Sequence, residues 1–287
     1  MPTLLQQARF VLGELGIRPH KRLGQHFLID PVVIEQMIAA ARIGPEAPIL
    51  EIGPGLGALS DKLAELAARL YLVEVDTVLA NRLRERFAKN NRVQVITADF
   101  LTLDLSSAFP EPVIHVVASL PYNVATPILF RLLDHRHRFP EVTVMIQKEV
   151  AERLSAAPGT KAYGVPSVLT QLYATVTTVG TVGPRSFFPA PKVESQIVRL
   201  VFQEAPRIAV QNEKVFRRVV KAAFAQRRKT LRNALRAGGY NDLEAVGEQA
   251  GIDLQRRGET LSLEEFAALA GMFAEQERSL VLTGHSA

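Results

Sequence analysis

From Glu51 to Leu59 the chain reads EIGPGLGAL, an apolar run that breaks into Gly53, Gly55 and Gly57 before a helical pattern begins. Glycine there lets the backbone turn sharply and lets a ligand approach without meeting a Cβ. Glu74 closes the next apolar run and Asp99 the one after. A carboxylate at the first position can accept from both hydroxyls of a ribose. One at the second can accept from an adenine amino group, with Phe100 as apolar cover. The set suits NAD or S-adenosylmethionine, because GPGLGA also satisfies the dinucleotide pattern loosely. A tight turn with no ligand is the plainer reading, and the two strand-end carboxylates speak against it.

A second group stands in VVASLPYNVATP. Ser119, Leu120, Pro121 and Tyr122 end an apolar strand, and as an isolated stretch they read as a turn. They leave the sheet on the same edge as Gly53, Glu74 and Asp99, where open α/β sheets bind ligands. One chemistry that suits them is methylation of an exocyclic base amine, whose lone pair is delocalised into the ring. Two acceptors aimed at its N–H bonds favour the pyramidal form and free the lone pair. The Leu120 carbonyl and the Ser119 side-chain oxygen are candidates, Pro121 stiffens the loop, and Tyr122 can stack on the base.

The elements that must hold these residues follow from periodicity. PILEIG, LYLVEVD, VQVITADF, VIHVVASL and VTVMIQKE read as strands, with helical patterns between most of them. Nearly all-apolar strands in repeated βα units imply a parallel sheet covered on both faces. In the first two helices Leu59, Leu63 and Leu66, then Val78, Leu79, Leu83 and Phe87, are expected to face inward. After Glu149 come helix, loop and helix, then TVTTVGTV and SQIVRLVF, two strands with no helix between them and hence an antiparallel end to the sheet. A break near Gln203 opens an all-helical part, so the expected domains are 1–203, with 1–30 as a helix and basic segment, and 204–287.

The chain has 287 residues, 47% of them apolar, and no run long enough for a membrane helix. It has no cysteine, which removes disulfides and thiolate chemistry and fits a cytoplasmic protein. His135 and His137 sit in a basic stretch that reads as solvated loop, and no metal site is expected. The net charge is +5, but its distribution says more. Lys214 to Arg236 holds nine Lys or Arg and no acid, while from Tyr240 on the balance reverses, with nine acidic residues against Arg256, Arg257 and Arg278. Such a stripe is the footprint of a polyanion-binding surface.

The ordered series KRLGQHFLID, EIGPGLGALS, VEVD, ADFL, SLPYNVATPILF, MIQKEVAERL, FFPAPKVES and FAQRRKTLRNAL resembles the small-subunit ribosomal RNA adenine N6,N6-dimethyltransferases over almost the whole chain. The resemblance implies a Rossmann-like class I methyltransferase sheet, mostly parallel with an antiparallel end hairpin, plus a small all-α C-terminal domain. It implies S-adenosylmethionine as cofactor, bordered by Gln25, His26, Leu28, Gly53, Gly55, Glu74, Asp99, Phe100 and Ser119. It implies that Tyr122 and Phe187 sandwich a target adenine. The substrate would be two adjacent adenosines in the 3′-terminal hairpin loop of small-subunit rRNA, within an assembling subunit. Arg217, Arg218, Lys221, Arg227, Arg228, Lys229 and Arg232, with Lys21 and Arg22, would grip its backbone, and the protein would act as a monomer.

Two positions depart from the family pattern, which has Asn at both Ser119 and His26. Ser keeps an acceptor but has a shorter reach and lacks the amide's fixed carbonyl, so activity is expected to be reduced but real. Competing expectations are a non-catalytic assembly factor on the same fold, and a large-subunit rRNA adenine methyltransferase conferring antibiotic resistance.

Overall fold

The structure, a computed structural model, describes residues 2–44 and 46–283. The chain divides into two compact units, Met1–Ala151 with Thr175–Glu204, and Glu152–Ala174 with Ala205–Ala287.

The first unit opens with α1 (Leu4–Glu14), started by a capping box in which Thr3 and Gln6 satisfy each other's backbone N–H. Then follow β1 (Phe27–Leu28), α2 (Pro31–Ala41), β2 (Pro48–Ile52), α3 (Ala58–Leu66), β3 (Arg69–Glu74) and α4 (Thr77–Arg86). Asp30 caps α2 and Asp76 caps α4, each accepting from N–H groups of the first turn. The chain continues through β4 (Val93–Thr97), α5 (Leu105–Ala108), β5 (His115–Ser119), α6 (Ala125–Asp134), β6 (Glu141–Gln147), α7 (Lys148–Ser155) and α8 (Val165–Tyr173). It closes with β7 (Ala174–Val182), β8 (Phe187–Phe188) and β9 (Ser195–Phe202).

Among the described residues seven strands form one sheet, in the order β4-β3-β2-β5-β6-β9-β7. The strands from β4 to β6 are parallel, and β9 pairs antiparallel with β6, lying between it and β7. The central strands are buried on both faces, as their apolar sequences require: Ile49, Leu50, Leu70, Val117 and Val144 are fully covered. Strand order reverses between β2 and β5, so a crevice opens beyond their carboxyl ends. There Leu50 pairs with Val116, and the same offset brings Gly53 level with Ser119. That register places the two chemistry-bearing loops side by side.

Leu66 and Val78, expected inside, are 43% and 42% exposed. Leu66 ends α3 and the inward place passes to Ala67, which is 1% exposed. Val78 follows the cap of α4, and Leu79, Ala80 and Leu83 form the buried face instead. An unforeseen feature is a second, two-stranded sheet of β1 and β8, in which Phe27 pairs with Phe188 and Leu28 with Phe187.

The second unit is helical: part of α7, α8, then α9 (Glu213–Ala225), α10 (Leu231–Ala237), α11 (Leu243–Ala250) and α12 (Leu263–Thr283). Its core joins Val215, Phe216, Val219 and Val220 of α9 with Phe266 and Leu269 of α12. Residues 152–174 group with these helices, which corrects the expected boundary at 203. The reason is local packing: Tyr163 is 1% exposed and its hydroxyl donates to the Leu261 carbonyl at 2.9 Å.

Candidate active site

The glycine loop leaves β2 with Gly53 at φ +70° and Gly55 at φ +57°, in the left-handed region that favours glycine. A Cβ on Gly53 would come 3.2 Å from the Pro121 ring, and one on Gly55 would come 2.9 Å from Phe27. The loop is therefore packed from both sides by other sequence motifs. Gly55 N–H donates to Glu74 Oε2 at 3.0 Å, and Asp76 N–H donates to Oε1 at the same distance. Burial pushes the Glu74 carboxyl above its ordinary range, while these two N–H donors pull it back. Each oxygen retains acceptor capacity for an incoming diol.

Asp99 is exposed, and its Oδ1 accepts from Leu101 N–H at 2.8 Å. Phe100 is buried beside it, with the Arg131 guanidinium 5.7 Å from its ring centre. Gln25 bridges the basic segment to the cap of α4, accepting from His20 N–H at 2.8 Å and donating to Asp76 Oδ2 at 3.2 Å.

The second loop is fixed at several points. Leu120 N–H donates to the Met145 carbonyl at 3.1 Å, and Asn123 Nδ2 donates to the Arg22 carbonyl at 2.8 Å. The Tyr122 hydroxyl shares a 2.6 Å hydrogen bond with Ser195 Oγ, whose residue is fully buried. The His26 ring lies 5.3 Å from that of Tyr122 at an angle of 30°, and His26 Nδ1 donates to the Pro189 carbonyl at 2.7 Å. Burial pushes the Tyr122 phenol up, so it stays neutral.

The cleft has two chambers whose linings share His26, Phe27, Gly53, Gly55 and Ser119. Gln25, Glu74, Asp99, Phe100, Leu120, Pro121 and Tyr122 line the larger one. Leu28 and Glu51 line the smaller. The expected sandwich of Tyr122 and Phe187 takes a different form. The two rings are edge-on, 6.4 Å apart at 68°, and Phe187 is buried where β8 pairs with β1. That pairing also explains how Leu28 and Phe187, far apart in sequence, come to border one region. Glu51, Ser60 and Ser195 went unnoticed in the sequence. Glu51 opens EIGPGLG and Ser195 ends FFPAPKVES, so both motifs contained the signal.

The basic stripe divides into two kinds of residue. Arg218 is held bidentate by Glu277 at 2.6 and 2.8 Å, Arg232 pairs with Glu244 at 2.9 Å, and Arg217 pairs with Glu213 at 3.3 Å. Arg227 donates to the Lys161 carbonyl and lies 3.8 Å from Glu259. Lys221, Arg228 and Lys229 are exposed. Arg22 is exposed beside the site, and the side chain of Lys21 lies outside the described residues.

Comparisons with known proteins place this geometry. Residues 16–275 match the family described as ribosomal RNA adenine dimethylase. Ribosomal RNA small subunit methyltransferase A of Syntrophotalea carbinolica is 48% identical over 255 residues, covering 88% of this chain and 96% of its own. Among solved structures, a dimethyladenosine transferase from Plasmodium falciparum aligns with a TM-score of 0.72 at 26% identity, over 88% of this chain and 98% of its own. The 23S rRNA methyltransferase ErmE aligns with a TM-score of 0.65, also at 26% identity, over 86% and 99%. Of the two cofactors the glycine loop admitted, S-adenosylmethionine is the one this family uses, and the residues fit it. The backbone room at Gly53 suits its methionine portion, and the two-oxygen acceptor at Glu74 and the exposed acceptor at Asp99 suit its nucleoside. With the sheet order, the two loops and the matched length in agreement, the chain belongs to the ribosomal RNA adenine dimethylase family.

Proposed function

We propose that this chain dimethylates N6 of two adjacent adenosines in the 3′-terminal hairpin loop of small-subunit rRNA, acting as a cytoplasmic monomer on an assembling subunit. The observation that carries the reading is the register across the strand-order reversal. It sets Ser119 level with Gly53, so the amine-orienting loop and the cofactor loop open into one cleft. When bound, S-adenosylmethionine supplies an electrophilic methyl group on a sulfonium.

The chain's residues then do the rest. Glu74 accepts from the ribose hydroxyls and Asp99 from the adenine amino group, with Gly53 and Gly55 giving backbone room. Gln25, His26 and Leu28 border the same cleft. Tyr122 offers its ring to a target adenine, extruded at a cost of a few kcal/mol that is smaller in a loop than in a duplex. Phe187 completes the stack if the β1–β8 sheet yields and its ring turns from edge-on to face-on. Ser119 Oγ and the Leu120 carbonyl accept the two N–H bonds of the amine and hold its lone pair toward the methyl. The nitrogen becomes acidic as it is alkylated and loses its proton without a strong base.

The ErmE likeness means that fold alone does not separate small-subunit from large-subunit substrates. The curated relatives' names favour the small subunit. The test is digestion and mass spectrometry of rRNA after incubating unmethylated small subunits with the protein and S-adenosylmethionine. Dimethyladenosine at two adjacent positions supports the reading. Subunit binding without methyl transfer would instead mark an assembly factor.

A further inference from the structure

The cationic stripe forms one side of a corner whose other side comes from a distant part of the chain. In the second unit the turn at 226–229 is closed by Lys229 N–H donating to the Gln226 carbonyl at 2.9 Å. The turn at 157–160, between α7 and α8, is closed by Thr160 N–H donating to the Ala157 carbonyl at 3.3 Å. Arg227 fastens the two: its Nη2 donates to the Lys161 carbonyl at 2.6 Å and to the Tyr163 carbonyl at 3.4 Å. Just beneath, the Tyr163 ring meets Phe224 edge-on at 5.8 Å. Gly159 N–H ties the same loop to the Glu259 carbonyl at 2.7 Å. Lys161 thus stands at the Arg227–Lys229 corner, although 66 residues separate it from Arg227.

Lys161, Arg228 and Lys229 are exposed. Among the described residues the carboxylate within ion-pair range of this corner is that of Glu259, 3.8 Å from Arg227. Four cations against one carboxylate repel one another, and a polyanion relieves that repulsion. The two kinds of cation differ in what they have left to offer. Arg227 spends a donor nitrogen on two backbone carbonyls, a task its planar fork suits, whereas Lys161 carries a compact charge that only solvent engages. We propose that Lys161 is a phosphate contact for the rRNA backbone, and that Arg227 is a positioning residue that holds Lys161 in place. The inference rests on the rRNA reading and deepens it: the grip draws on a loop outside the stripe, and one arginine of the stripe serves that loop.

Filter binding of the full chain to small-subunit rRNA across a salt series tests this, with Lys161→Ala, Arg227→Ala and the double variant. Lys161→Ala should lower the log–log salt slope by about 0.7–0.9, one full contact. Arg227→Ala should lower it by a similar amount, and the double variant by no more than either alone, because the same contact is lost each time. Tryptic cleavage after Lys161 should quicken several-fold in Arg227→Ala, as in a loop that has lost its tie. An unchanged slope in Lys161→Ala would overturn the contact. A double variant whose slope falls by the sum, about 1.4–1.8, would make Arg227 a phosphate contact in its own right and overturn its positioning role. So would an unchanged slope in Arg227→Ala. In each of these cases a steep wild-type slope leaves the rRNA reading standing. If the wild-type chain did not bind the rRNA, that reading would fall and this inference with it. Lys161 is exposed, so its replacement tests the contact even if Arg227→Ala does not fold.

Discussion

Ser119 marks the point where the chemistry is most exposed to a single side chain. Its hydroxyl must turn one lone pair toward an amine hydrogen while remaining free to rotate, whereas an amide presents a fixed carbonyl. One well-aligned hydrogen bond is worth about 0.5–1.5 kcal/mol net, so Ser119→Asn should raise kcat roughly two- to tenfold. It should also shift product from mono- to dimethyladenosine. Single-turnover assays with mass-spectrometric product ratios would check both, and an unchanged ratio would remove Ser119 from the list of limiting groups. Tyr122 is tested differently. If its ring carries the stack, Tyr122→Ala should lower kcat/KM by roughly five- to 200-fold, the equivalent of about 1–3 kcal/mol. S-adenosylmethionine affinity should move much less.

At the scale of elements, the site depends on contacts between segments distant in sequence. The Tyr122–Ser195 hydrogen bond ties the loop after β5 to the start of β9, with one partner fully buried. Ser195→Ala leaves the Tyr122 hydroxyl without its partner and its ring less constrained, and should lower kcat/KM several-fold. Adding Tyr122→Phe removes the orphaned hydroxyl, so the double variant should recover part of the loss, which a double-mutant cycle measures. Gly53→Ala forces a left-handed residue against Pro121, costing about 1–2 kcal/mol in urea unfolding. Much of this level could be read beforehand. Apolar runs placed the parallel strands, period-3.6 patterns placed most helices, and strand ends located Gly53, Glu74, Asp99 and Ser119. The β1–β8 pairing could not be read, because two-residue strands carry no periodicity and their register depends on chain folding. Glu51 was hidden for a related reason: it sits in a buried strand among apolar neighbours, and its hydrogen bond to Ser60 is a property of packing alone.

For the whole molecule the question is where the charge goes. A cationic stripe in the sequence suggests a uniform grip on phosphate, yet in the folded unit several of its arginines are already committed. Glu277 holds Arg218 at two points and Glu244 holds Arg232 at 2.9 Å, so an incoming phosphate must compete with a carboxylate for each. Lys221, Arg228 and Lys229 are exposed, and among the described residues no carboxylate lies within ion-pair distance of them. Counterion release scales with the phosphates that are neutralised, at a log–log salt slope of roughly 0.7–0.9 per contact. Replacing Arg228 and Lys229 together by Ala should therefore lower the salt slope of small-subunit rRNA binding by about 1.4–1.8. Arg218→Ala should change it by much less than a full contact, because the arginine it removes exchanged one anion for another. Filter binding across a salt series would measure all three proteins. Equal changes for the double variant and Arg218→Ala would show that RNA displaces Glu277 and recruits the paired arginines in full. An unchanged slope in the double variant would move the RNA surface away from this stripe, leaving the charge asymmetry of the second unit to another polyanion.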